Sequence, residues 1–273
     1  MNRIGADSRS TPSARRASLR RWSRSCLAIN LLNVSLLAAS AGLAILFVLR
    51  QKRTANPFIP PELFRSRAYR TGLAAGFLNA SVNFGVLLLT PILLGEVFRL
   101  DAGRIGLLMF PGAAASSLAG LYGGRMIDRK GASVVLLAAA ALTGSGLLFL
   151  SSLAGRAAWG IASALAFTCS GYILAQPALA KAVSVTLAEG RTGIGMGVYS
   201  LSNFMSTALA GIAVTKALEA GGGVAFNPLA ADGVSAVHSN LFLALFAAAQ
   251  LQMLLVLLLP ERTKRGQNRL TNR

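Results

Sequence analysis

Seven stretches of the chain, Ala28–Leu49, Thr71–Gly95, Ile105–Gly124, Ala132–Leu153, Ala157–Ala180, Thr192–Thr215 and Asn240–Pro260, run for 20 to 25 residues with almost no charge. An α-helix rises 1.5 Å per residue, so about 20 residues cross a ~30 Å hydrocarbon layer with every backbone group bonded inside its own segment. The pattern therefore predicts an all-α polytopic membrane protein with about seven transmembrane helices. The competing reading is a large soluble helical protein, whose outer helices would carry a polar face at 3.6-residue spacing. These stretches show none, and a composition of 54% hydrophobic against 13% charged residues leaves little polar surface for a soluble fold.

Within the stretches small residues recur, as in Gly112-Ala113-Ala114-Ala115-Ser116-Ser117 and Gly193-Ile194-Gly195-Met196-Gly197. Lipid offers no hydrophobic drive between helices, so close backbone approach at small residues is what holds them together. Pro91, Pro111 and Pro177 also fall inside spans, where neighbouring helices or water satisfy the freed carbonyls.

Twenty-seven Lys and Arg against nine Asp and Glu give a formal charge of +18, which by its total suggests a nucleic-acid partner. Position changes that reading. Arg50, Lys52, Arg53, Arg65, Arg67, Arg70, Arg125, Arg129, Lys130, Lys181, Arg191 and five residues from Arg262 to Arg273 share one side, 16 in all; Arg99, Arg104, Arg156 and Lys216, four in all, share the other. Because Lys and Arg in short loops stay in the cytoplasm, the first set and the C-terminus face inward in a cell membrane. The charge marks topology, and no nucleic-acid partner is expected. Residues 1–26 break the rule: they carry seven arginines, yet an odd number of spans puts them outside. Their Arg- and Ser-rich, acid-poor composition fits an organelle transit peptide, and a truncated or mis-started reading frame accounts for them better.

Asn56-Pro57-Phe58-Ile59-Pro60-Pro61-Glu62-Leu63-Phe64-Arg65 resembles the cytoplasmic linker before the C-terminal bundle of fourteen-helix drug:proton antiporters in the major facilitator superfamily. Ile105-Gly106, Phe110-Pro111-Gly112 and Gly123-Gly124-Arg125-Met126-Ile127-Asp128-Arg129-Lys130-Gly131 resemble that superfamily's signature loop. Gly193-Ile194-Gly195-Met196-Gly197 with Asn203-Phe204 resembles the tetracycline:proton antiporters of the same group. The resemblance implies a basic N-terminal segment at 1–27, a linker helix at 28–49, a cytoplasmic linker at 50–70, one six-helix bundle at 71–260 built from two inverted three-helix repeats, and a basic cytoplasmic tail at 261–273. It implies that the N-terminal bundle is missing, to be supplied by an upstream half or by a second copy.

In the signature segment, Gly124 and Gly131 permit a tight turn, Asp128 can cap the following helix and pair with an Arg, and Arg129 holds the loop inside. The family role of such a loop is a latch between halves, which makes Gly124, Asp128, Arg129 and Gly131 candidate gate residues; a plain cytoplasmic turn is the alternative. Proton coupling calls for an ionisable residue inside the bilayer, where burying it costs at least about 2.5–3.5 kcal/mol. None is apparent: Asp7, Glu62, Glu96, Asp101, Asp128, Glu189, Glu219, Asp232 and Glu261 fall in loops or at span ends and His238 in an outer loop.

Candidate substrate-lining residues are therefore neutral. Asn79 and Asn83 share a helical face, and Tyr172, Gln176 beside Pro177, and Asn203 could offer hydrogen bonds in an apolar cleft; bonding between helices is the alternative, as it is for Gln250 and Gln252. Cys26 and Cys169 lack metal spacing, Gly221-Gly222-Gly223 lacks the context of a phosphate loop, and a single histidine gives no catalytic triad, so no enzyme, metal or cofactor is expected beyond a proton gradient as energy source. The expected function is proton-coupled efflux of a tetracycline-like drug from a lipid-embedded bundle, with a general multidrug exporter and a fragment without activity of its own as alternatives.

Overall fold

The computed structural model describes residues 60–188, 190–221, 226–227 and 234–257, together with Gly42, Leu46 and Arg50. It divides into two units, Met1–Pro60 and Pro61–Arg273. In the first unit Gly42, Leu46 and Arg50 are helical and spaced one turn apart. The expected N-terminal segment, most of the linker helix, the basic tail and the Gly222-Gly223 loop lie outside the described residues.

The second unit opens with a short 3-10 helix, Pro61–Arg65, followed by six α-helices: α1 Arg67–Glu96, α2 Ala102–Lys130, α3 Ala132–Leu153, α4 Ala158–Ser184, α5 Thr192–Ala220 and α6 Val234–Leu257. All six are long and apolar enough to span a membrane. They extend past the uncharged stretches because polar turns emerging from the bilayer carry the helix on: α1 begins three residues after Phe64, with Ser66 Oγ accepting from Tyr69 N. Pro91, Pro111 and Pro177 sit inside α1, α2 and α4 without ending them.

One expectation fails at α6. His238 is not in an outer loop; it lies in the second turn of this helix and is 1% exposed, its Nε2 3.7 Å from Glu96 Oε2 at the end of α1. The uncharged stretch from Asn240 understated the helix, because the segment with Ser235, His238 and Ser239 reads as loop by its polar residues yet buries all three.

Packing follows a simple exchange rule. Helix α4 packs on α2 and α3 as α1 packs on α5 and α6, while α3 meets α6 and α1 meets α4. Swapping α1, α2, α3 for α4, α5, α6 leaves this pattern unchanged, and α1 and α4 start at opposite ends of the bundle, which is the arrangement of two inverted three-helix repeats. The tightest crossing, α3 on α4, is made by two glycines. A Cβ at Gly146 would lie 2.7 Å from Thr168 N and 2.8 Å from Ala164 O, and one at Gly171 would lie 2.7 Å from both Ala139 O and Thr143 N. Each glycine receives the other helix's backbone directly.

The ends of the bundle differ in charge. Arg65, Arg67, Arg70, Arg125, Arg129, Lys130, Lys181 and Arg191 lie at the end where α1 starts, and Arg99, Arg104, Arg156 and Lys216 at the other.

Because backbone cannot yield as a side chain does, Gly171→Ala should destabilise the bundle by about 1–3 kcal/mol, seen as a lower thermal midpoint in detergent. Gly124 is helical and exposed, with open space for 4 Å around the point where a Cβ would stand. It should tolerate Ala with a gain of about 0.5–1 kcal/mol.

Candidate functional site

A cleft of about 530 Å³ opens between α1, α2 and α4, within the usual range for small-molecule sites. Its wall is mainly apolar, with Val86, Leu87, Met109, Phe110 and Leu165, and the polar side chains reaching it are Asn83, Ser116, Cys169 and Tyr172. No lining residue is charged. The arrangement can hold an apolar molecule and offer it a few neutral hydrogen-bonding groups.

The five residues picked from the sequence divide among different tasks. Asn83 and Tyr172 line the cleft. Asn79, one turn from Asn83, is instead buried in an amide chain that ties three helices: Gln252 Nε2 of α6 donates to Asn79 Oδ1 at 3.2 Å, and Asn79 Nδ2 donates to Gln176 Oε1 of α4 at 3.4 Å. For Asn79, Gln176 and Gln252 the interhelical alternative holds. Positions four apart on a helix differ by about 40° in direction, enough for one to face α6 and the next to face the cleft. Asn203 lies on α5, one turn from Tyr199, and is not among the cleft's lining residues.

The contribution of Met109, Phe110, Leu165 and Cys169 was not visible in the sequence, since an apolar residue lining a cleft reads the same as one facing lipid. A second seam, α1 against α5, carries polar contacts also missed: Tyr69 Oη donates to Gly195 O at 2.8 Å, and Ser206 Oγ bonds both Ser81 Oγ and Phe77 O.

The signature segment is rearranged relative to expectation. Gly124 is not in a turn, because α2 continues to Lys130, and Asp128 does not cap α3, whose start has no side-chain cap. The helix places Asp128 in its last turn, pointing at α4, where its Oδ1 accepts from Lys181 Nζ at 2.9 Å. Arg129 is exposed beside it. Gly131 does make the turn, with φ of 83° and its N–H on Ile127 O, a conformation that favours glycine. At the same end Arg191 bonds Glu62, joining the 3-10 helix to the start of α5. The hydrogen bond from Arg191, then its charge, holds the Glu62 carboxyl below its usual range.

The chain matches the Major Facilitator Superfamily profile over residues 21–211. It belongs to the major facilitator superfamily. Members of this superfamily are transporters, not enzymes, and six membrane-length helices make the chain an integral membrane protein. It is 29% identical over 167 residues to the multidrug resistance protein Stp of Mycobacterium tuberculosis, covering 61% of this chain and 31% of Stp. It is 32% identical over 103 residues to the drug efflux pump JefA of the same species, covering 38% and 20%. Against the uncharacterized MFS-type transporter YvkA of Bacillus subtilis it is 23% identical over 172 residues, covering 61% and 39%. The chain thus spans between about a fifth and two fifths of the length of these superfamily relatives.

Replacing Asn79 with Leu takes the partner from the buried Gln252 amide and breaks the link to the half-buried Gln176, so Asn79→Leu should cost about 1–2 kcal/mol of stability while leaving ligand binding in the cleft intact; thermal unfolding beside equilibrium binding checks this. The lowered pKa of Glu62 means that its ion pair contributes above the ordinary carboxylate pKa and is lost as pH falls through the folded value. Arg191→Ala should move the Glu62 titration upward, read by carboxyl carbon NMR.

Proposed function

We propose that this bundle is the drug-holding part of an efflux transporter that exchanges its cargo for protons. The observation that carries the reading is the uncharged, largely apolar cleft between α1, α2 and α4, in a superfamily bundle whose relatives are named for multidrug resistance and drug efflux. An isolated charge buried there would be strongly disfavoured, so the cargo presents an apolar body with neutral polar groups. This favours a broad drug exporter, with tetracycline-like compounds as the narrower class.

Alternating access takes two bundles rocking around a midplane site. The described residues form one, so transport calls for a second bundle, from another part of the same transporter or from a second copy. The excess of Lys and Arg at the end holding Glu62, Asp128 and Arg191 supports a cytoplasmic orientation for that end and for the C-terminus, in a plasma-membrane protein. Asp128–Lys181 and Glu62–Arg191 would then sit on the cytoplasmic face, where Gly124, Asp128, Arg129 and Gly131 belong to a latch against the second bundle.

Purified chain should bind a neutral apolar dye such as Nile red at equilibrium, and bind it more tightly than the cation ethidium. Ala113→Trp, which fills the cleft from an exposed position on α2, should weaken that binding at least about tenfold. Unchanged binding in the Trp variant would remove the cleft from the mechanism. Proton-driven uptake into inverted vesicles should appear only with a second bundle present.

A further inference from the structure

The polar groups of the cleft are not scattered along it. Helix α1 reaches the sparsely basic end of the bundle at Glu96, while α2 and α4 start there, at Ala102 and Ala158. Asn83 lies 13 residues before Glu96, Ser116 lies 14 after Ala102 and Tyr172 lies 14 after Ala158. At 1.5 Å per residue all three stand roughly 20 Å from that end, near the middle of their helices. Val86, Leu87, Met109, Phe110 and Leu165 lie only seven to ten residues from the same helix ends, and Gly106 only four. The cleft is thus polar at mid-bundle depth, where Ile173 is the apolar neighbour of Tyr172, and apolar toward the sparsely basic end.

The three polar side chains are not equally available. Ser116 Oγ donates to Ala113 O at 2.8 Å within its own helix, and Tyr172 is hydrogen-bonded to Gln176 one turn further along α4. Asn79, one turn before Asn83, spends its amide on Gln176 and Gln252. Asn83 makes no hydrogen bond among the described residues and is half-buried against the cleft. An amide left unanswered at the mid-depth of a bilayer is costly, because hydrocarbon offers it no partner.

The complementary molecule follows from this layout. A side-chain amide carries two donor hydrogens and a carbonyl acceptor, so the group that answers it both accepts from Nδ2 and donates to Oδ1, as a carboxamide or lactam does in one paired contact. No charged residue lines the cleft, which keeps that head group neutral. Beyond it the wall of Val86, Leu87, Met109, Phe110 and Leu165 offers only apolar contact, so the rest of the molecule is an apolar body.

We propose that the cleft takes amphiphiles in one orientation, with a neutral carboxamide-type head bonded by Asn83 at mid-bundle depth and an apolar body reaching toward the sparsely basic end. This rests on the drug-efflux reading and narrows its cargo to molecules that are polar at one end. Asn83 is the specificity-determining residue, because a site built to bond a donor discriminates against a molecule that lacks it.

The test measures displacement of Nile red from purified chain, in one detergent, by dodecanamide and by methyl undecanoate. The two match in heavy atoms, but only the amide can donate. Partition into micelles is common to wild type and variants, so the change in the amide-to-ester preference between them reports the protein. Asn83→Leu should cut that preference about fivefold to tenfold, and Asn83→Ala gives the same reading should the leucine variant not fold. The body is tested at Gly106, where a Cβ would meet nothing within 4 Å. Gly106 stands ten residues, roughly 15 Å, from Ser116 along α2, a distance that extended dodecanamide spans and octanamide does not. Gly106→Trp should therefore weaken dodecanamide at least about fivefold more than octanamide. A preference unchanged in the Asn83 variants overturns the head-group anchor, and a tryptophan that weakens both amides alike overturns the orientation; Nile red bound in either case leaves the drug reading standing. Wild-type protein that binds none of the probes overturns the drug reading together with the proposal.

Discussion

In a bilayer the hydrophobic effect places helices across the membrane but does little to press them together, since lipid tails are as apolar as leucine. Cohesion then depends on how closely backbones approach. Gly146 and Gly171 provide this where α3 crosses α4, each accepting the other helix's backbone at a distance that no side chain allows. Helix α4 is thereby fixed against α3, and with α2 it frames the cleft. The repeat symmetry gives α1 the equivalent place among α5 and α6.

Polar side chains divide into two uses once those contacts are set. Some join helices, as in the Gln252–Asn79–Gln176 chain and the Ser151–Ser239 pair between α3 and α6. Some face the cleft, as Asn83 and Tyr172 do. In a medium without water to compensate, a polar group without a partner is costly, so pairing between helices is how most of these groups are accommodated.

Asp128–Lys181 and Glu62–Arg191 are exposed pairs at one end, of the kind that contributes little to stability, and their value is in register: they fix how α2 meets α4 and how the 3-10 helix meets α5. A gate built from this segment would move as part of helix α2, because the residues up to Lys130 are helical and the turn is confined to Gly131.

Much of this was legible in the sequence. Long uncharged stretches with small residues specify membrane helices whatever their neighbours are, because each helix satisfies its own backbone, and the alternation of Lys and Arg specifies their ends. The motif around Gly123 to Gly131 specified the superfamily. The tertiary structure decided which polar residue does what. Asn79 and Asn83 look alike one turn apart, yet one bonds Gln176 and Gln252 while the other faces a cleft; His238 read as loop and is buried in α6; Asp128 read as a cap and reaches Lys181. The physical reason is that a helix in lipid is stable independently of its rotation about its own axis. That rotation, and with it the partner of every side chain, is settled only when neighbouring helices pack.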